Sequence, residues 1–191
     1  MSRRRGLAIA AALLVAIAIR IWVGAPLMVH TEGMSPAIVP GDWVWVRFRA
    51  PHVGEVARVR MDVGEAPQLA RMVAGPGQMV EVSEGVLYVD GMPAALGRTR
   101  RSESCRGQPL RQAAERWRGR RVWVVQGAPV APTRVPAGHA FLLGDHRPAA
   151  GDSQRWGTVS MDQLEGVATT LVWPAGRCRP NRWSDLGKRI D

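Results

Sequence analysis

The stretch Val29–Val46, VHTEGMSPAIVPGDWVWV, decides how this chain of 191 residues is read. Pro36 and Gly41-Asp42 punctuate it as turn signals. From Asp42 to Phe48 (DWVWVRF) large apolar residues then alternate with others, the period of a strand with one buried face. Working outward, Met79–Val82, Val86–Val89, Val122–Val125 and Ala140–Leu143 are further runs rich in β-formers. Pro76-Gly77, Asp90-Gly91 and Pro136–Gly138 mark turns between them. Only Gly107–Arg118 has the content of a helix, and no internal repeat is present. The pattern predicts a mainly β fold.

The N-terminus has another character. Arg3–Arg5 precede an apolar run from Gly6 to Val23 that is broken only by Arg20. Eighteen helical residues span about 27 Å at 1.5 Å per residue, close to one hydrocarbon core. Arg20 lies where its stem can snorkel, and Trp22 suits an interface. The reading is a membrane anchor over 1–24, with its N-terminus held in the cytoplasm by the arginines and residues 25–191 outside. A cleavable secretory signal is the competing reading.

Net charge is +10, and Lys188 is the sole lysine among 26 basic residues. So basic a chain invites a nucleic-acid reading. No zinc-finger spacing, basic-zipper heptad or aromatic RNA-binding motif accompanies the arginines, and an arginine-rich composition with attraction to anionic lipid is the preferred reading. Cys105 and Cys178 lack both C-x-x-C spacing and paired histidines, which argues against zinc. An oxidising compartment permits a disulfide between them; two separate thiols are the other reading.

Four ordered blocks carry a family resemblance. In Val29–Val46, Met34-Ser35-Pro36 and Gly41-Asp42 match S-G-S-M-x-P-T-L followed by G-D. Leu69–Val82 (LARMVAGPGQMVEV) is similar to K-R-x-x-G-x-P-G-D-x-V through Arg71, Pro76 and Gly77. Gly85–Gly91 (GVLYVDG) is similar to the hairpin D-G-x-L-Y-x-N-G. Val135–Ala168 matches V-P-x-G-x-x-F-x-L-G-D-N-R-x-x-S-x-D-S-R-x-x-G at Gly144, Asp145, Arg147, Asp152, Ser153 and Gly157. These blocks resemble the type I signal peptidases, membrane serine proteases that remove signal peptides. The resemblance implies a domain of strongly coiled antiparallel sheets behind one transmembrane helix, with 97–134 falling between blocks as an insertion or cap.

The same alignment takes away the chemistry. The family attacks with a serine hydroxyl activated by a buried, neutral lysine, which a third group orients. Those three positions fall on Gly33, Ala70 and Ala150. Thr31, at the family's oxyanion-hydroxyl position, keeps its hydroxyl, and Asp152 is retained. Ser35 is an alternative nucleophile, but two residues along an extended chain shift a hydroxyl by about 6.6 Å. Arginine stays protonated and cannot serve as base. Of the four histidines, His146, beside Asp145, is the best candidate. Arg147 either pairs with Asp145 or Asp152 or is a solvated loop arginine, and Leu27, Met28, Trp43 and Trp45 form either the apolar rim that rests on the bilayer in the family or an ordinary part of the core.

The resemblance therefore implies a single-pass protein of the cytoplasmic membrane whose outer domain keeps the fold without the dyad. It requires no cofactor and no metal. Its expected partners are membrane lipid and, through the groove, signal peptides, exported substrates or an active peptidase or secretion component. The alternatives are an active protease using Ser35 with a histidine, and an arginine-rich nucleic-acid binder.

Overall fold

The structure, a computed structural model, describes residues 24–61, 66–105, 107–117, 119–174 and 182–190, with isolated positions between 6 and 15. Strands are numbered along the chain. The largest sheet has seven: β1 (Ala25–Met28), β2 (Trp43–Arg47), β3 (Val56–Val59), β4 (Gln68–Ala74), β12 (His139–Leu143), β13 (Val159–Ser160) and β14 (Leu164–Trp173). They lie in the order β1-β2-β14-β3-β4-β12-β13. A second sheet holds β5 (Met79–Ser83), β6 (Val86–Val89), β7 (Met92–Pro93) and β11 (Val130–Arg134). The third is β10 (Arg120–Val125), β9 (Pro109–Trp117) and β8 (Ala95–Glu103).

Curvature comes from β14. Its first half pairs with β3 and its second with β2, and the β2 register slips after Ala168 and after Leu171. Such bulges bend and twist a strand. Past Ala168 the β3 side of β14 is filled by the C-terminal tail: Leu171 N–H donates to Lys188 O at 3.0 Å, and Ile190 N–H to Thr169 O at 3.0 Å. Ile190 is thereby buried with Val44, Val46 and Met34 in one apolar cluster. A second cluster joins Val80, Val82 and Leu87 to Phe141 and Leu143, and a third gathers Ala57, Ala70, Met72 and Leu142. With β4 buried on both faces, its run LARMVA needs no polar alternation.

The predicted β runs fall in β2, β5, β6, β10 and β12. The helix expected over Gly107–Arg118 does not form: Pro109–Trp117 is the central strand of the third sheet, paired with β8 on one side and β10 on the other. Two ladders and the burial of residues 112–115 outweigh a weak helical propensity. The segment 97–134 divides, for its last strand, β11, pairs with β5 in the second sheet. Cys105 is disulfide-bonded, and the chain's other cysteine is Cys178. The Gly6–Val23 run lies mostly outside the described residues. No helix among the described residues is long and apolar enough to cross a membrane.

Candidate functional site

The loop between β1 and β2 is fixed from inside. Val29 N–H donates to Asp42 O and Gly41 N–H to Val29 O, both at 2.8 Å, while Asp42 Oδ2 accepts from Val39 N–H at 3.0 Å. Met34 and Ile38 plug the first apolar cluster. Gly33 is thereby held in the interior, where the loop after β12 meets it: His146 N–H donates to Gly33 O at 2.9 Å.

Gly33 and Ala150 are in contact. A Cβ on Gly33 would stand 3.3 Å from Ala150 Cα, 3.5 Å from Ala150 Cβ and 3.9 Å from Thr31 Oγ1. Gly144 sits between them; a Cβ there would collide with Ala150 Cβ and lie 2.5 Å from Gly33 O, so only glycine fits. Ala70 approaches from β4. The β12 ladder ends one residue short of it, with Leu143 the partner of Arg71. The Ala70 methyl is wholly buried, facing Ala57 across the β3 ladder. Gly33 and Ala150 thus meet beside Gly144, while Ala70 lies on β4 with its methyl in the Ala57 cluster, and none of the three offers a polar side chain.

The scaffold around them is polar and bonded. Asp152 is fully buried; it accepts from Gly144 N–H at 2.9 Å and from Gln154 N–H at 2.9 Å, capping the single helical turn Ser153–Trp156. Burial pushes its carboxyl above the ordinary range, against those hydrogen bonds. Ser153 Oγ accepts from Leu142 N–H at 2.9 Å. Arg71 makes a bidentate pair with Asp145, both bonds at 2.9 Å, and donates to Gly54 O at 2.8 Å. Arg147 does not pair with Asp145 or Asp152 as expected. Asp145 is taken by Arg71, and Arg147 donates instead to Glu115 of β9 at 2.6 Å, both side chains buried.

The alternative dyad is not assembled. Ser35 Oγ and His146 Nδ1 are both buried, and neither has a hydrogen-bond partner in the protein. They do not bond to each other. Burial holds His146 below its ordinary value, opposed by the charge and backbone of Glu32. Lys188 is exposed on the C-terminal tail, 3.6 Å from Asp185.

Along β4, Gln68–Ala70 have β3 on one side and, among the described residues, no partner strand on the other, because β12 pairs only from Arg71 onward. β1 is likewise an edge strand. An open edge of this kind accepts an extended peptide by backbone hydrogen bonds. Of the expected rim, Met28 and Trp43 are exposed, joined by Trp173 across the ladder; Leu27 packs against the core.

A family model described as "Signal peptidase, peptidase S26" matches residues 2–173. The chain belongs to the S26 signal peptidase family. A probable signal peptidase I-1 of Synechocystis sp. is 29% identical over 192 aligned positions, covering 92% of this chain and 82% of that protein. Signal peptidase I T of Bacillus subtilis is 23% identical over 186, covering 93% and 88%. A crystal structure of a signal peptidase I from Enterococcus faecalis is similar at a TM-score of 0.41 and 22% identity, covering 64% of this chain and 99% of that one. Within this S26 member, sequence reasoning missed the partners of Arg71 and Arg147. The signal for the first was present: a single arginine inside the apolar run LARMVA needs a buried counter-charge.

Proposed function

We propose that this S26 member does not hydrolyse peptides and acts as a receptor for signal peptides or other exported segments, anchored in the cytoplasmic membrane with its β domain outside. The observation that carries the reading is the contact of Gly33 with Ala150. A serine protease needs a hydroxyl, a base in reach and a group to orient it. Here the first and third positions are apolar neighbours, and the residue at the second is a methyl in an apolar cluster. The loops that shape such a site, held by Asp42, Asp152, Ser153 and the Arg71–Asp145 pair, are meanwhile intact. Strand addition at Gln68–Ala70 needs backbone groups and small pockets, not a nucleophile. Exposed Met28, Trp43 and Trp173 provide apolar area for lipid contact.

The neutral state favoured by burial and the unpartnered Nδ1 of His146 support a second reading, in which it serves Ser35 as base. Against it, Ser35 is 2% exposed and its hydroxyl is buried, so a substrate carbonyl has no approach to it. To test the receptor reading, a photo-crosslinking residue replaces Gln68 in the full chain in neutral detergent, with a signal peptide as probe. The peptide is expected to crosslink at 68, not from Glu84 on the second sheet, and to be recovered whole by mass spectrometry. Failure to crosslink at 68 while binding elsewhere removes the groove reading.

A further inference from the structure

Strand β10 lies at the edge of its sheet, and among the described strands it pairs with β9 alone. A cavity of about 230 Å³ is lined by Arg121, Val122 and Trp123 in succession. Successive side chains of a strand point to opposite faces, so a cavity touched by all three runs along the strand's edge. Across it stand Pro36 and Ala37, immediately after Met34-Ser35. At its far end Val125 N–H donates to Asp145 O at 2.8 Å, and Val125 bridges His146 in parallel. His146 in turn donates to Gly33. The open edge of β10 therefore leads directly to the Gly33 loop.

The cavity's charge is strongly one-sided. Arg71, Arg100, Arg121, Lys188 and Arg189 line it against Asp145 and Asp185; Asp145 is matched by Arg71, Lys188 reaches Asp185 at 3.6 Å from an exposed position, and Arg100 donates to Gln112. A neighbouring cavity of about 680 Å³ shares Arg121 and Trp123 and adds Arg98 and Arg116. The sheet register puts Arg116 opposite Arg121, so like charges face each other across the ladder, an arrangement that costs stability without a counter-anion.

We propose that the open edge of β10 docks an acidic extended peptide segment, whose backbone adds as a strand and whose carboxylates pair with exposed Arg121 and Lys188. The proposal rests on the receptor reading, since it supplies the path a bound peptide follows beyond Gly33. A nucleic acid fits less well. Single strands are held by bases stacked on aromatic faces, and the one aromatic ring here is covered by the Arg100 guanidinium at 4.0 Å. A strand edge inside a cleft also offers peptide hydrogen bonds that a lipid headgroup does not use.

The test is fluorescence anisotropy of the full chain in neutral detergent, at low salt. The probe is a short labelled peptide alternating Glu with Val, compared with its Gln-for-Glu analogue. The acidic peptide is expected to bind at least about tenfold more tightly than the analogue, about 1.4 kcal/mol. Arg121→Glu, an exposed change, is expected to weaken it by a similar factor, as is Lys188→Glu, with unchanged circular dichroism. N-methylation of alternate peptide amides is expected to abolish binding while leaving the charge. Equal affinity for the Gln analogue, an unaffected Arg121→Glu and Lys188→Glu pair, or tighter binding of a single-stranded oligonucleotide or anionic vesicles would each overturn the proposal. A neutral signal peptide measured in the same variants is expected to keep its affinity. Its failure to bind the unmodified chain counts against the receptor reading, whereas the Arg121 and Lys188 effects decide the acidic subsite.

Discussion

Removing Glu115 should destabilise this protein strongly, because Glu115 is buried on β9 as the counter-charge of a buried arginine. The Arg147 side chain is 2% exposed and that of Glu115 5% exposed, with one bond of 2.6 Å between them. Arg147 Nε and Nη1 have no partner in the protein, so Glu115 is the main compensation for a buried guanidinium. Glu115→Met strands that charge, at a cost of about 3–5 kcal/mol. For a protein of this size that lowers Tm by about 6–20 °C. Glu115→Met with Arg147→Met removes both charges and both desolvation costs, and should restore stability to within about 1 kcal/mol of the parent or exceed it. Urea unfolding of the parent, the two single variants and the double variant closes the cycle. A Glu115→Met protein as stable as the parent, or a double variant no better than the single, refutes the reasoning.

His146 makes stability pH-dependent. Burial holds its folded-state value below the ordinary 6.5, so the unfolded chain takes up a proton that the folded one resists. Its contribution is complete above that value and is lost as pH falls below it; His146→Asn should flatten the unfolding midpoint between about pH 7 and 5. Alkylation of the unreduced, denatured protein should add nothing, and after reduction it should add two groups, one for each cysteine of the chain. Gly33→Ser alone should give no cleavage of a signal-peptide substrate. Its Cβ fits only if Ala150 shifts by a few tenths of an ångström, and Ala70 still provides no base. Adding Ala70→Lys should give at most weak turnover, because Ala150 cannot orient the new amine.

The sequence carried much of this fold because its strand signals are local. Alternation in Asp42–Phe48 and the turns at Pro76-Gly77 and Asp90-Gly91 need no distant partner, and each lies where it was expected. Pro109–Trp117 went the other way: its residues suit a helix in isolation, and only two neighbouring strands make them a strand. Arg147 was matched to acids nearby in sequence, whereas its partner is 32 residues away on that same unrecognised strand. Docking of the tail through Ile190 left no trace in a C-terminus that reads as polar. At the site, register alone nominated Gly33, Ala70 and Ala150. The meeting of Gly33 with Ala150 beside Gly144 is a property of the folded loops, which no spacing along the chain expresses.

The proposed lack of proteolysis in a member of a protease family is open to direct assay. The most direct measurement incubates the unmodified full chain, in detergent, with a preprotein and follows release of the signal peptide by mass spectrometry. An authentic active signal peptidase serves as positive control. The account predicts no product above the rate without protein, and no change on Ser35→Ala. Cleavage at a defined site by the unmodified chain, lost on Ser35→Ala, would contradict it and place the nucleophile at Ser35.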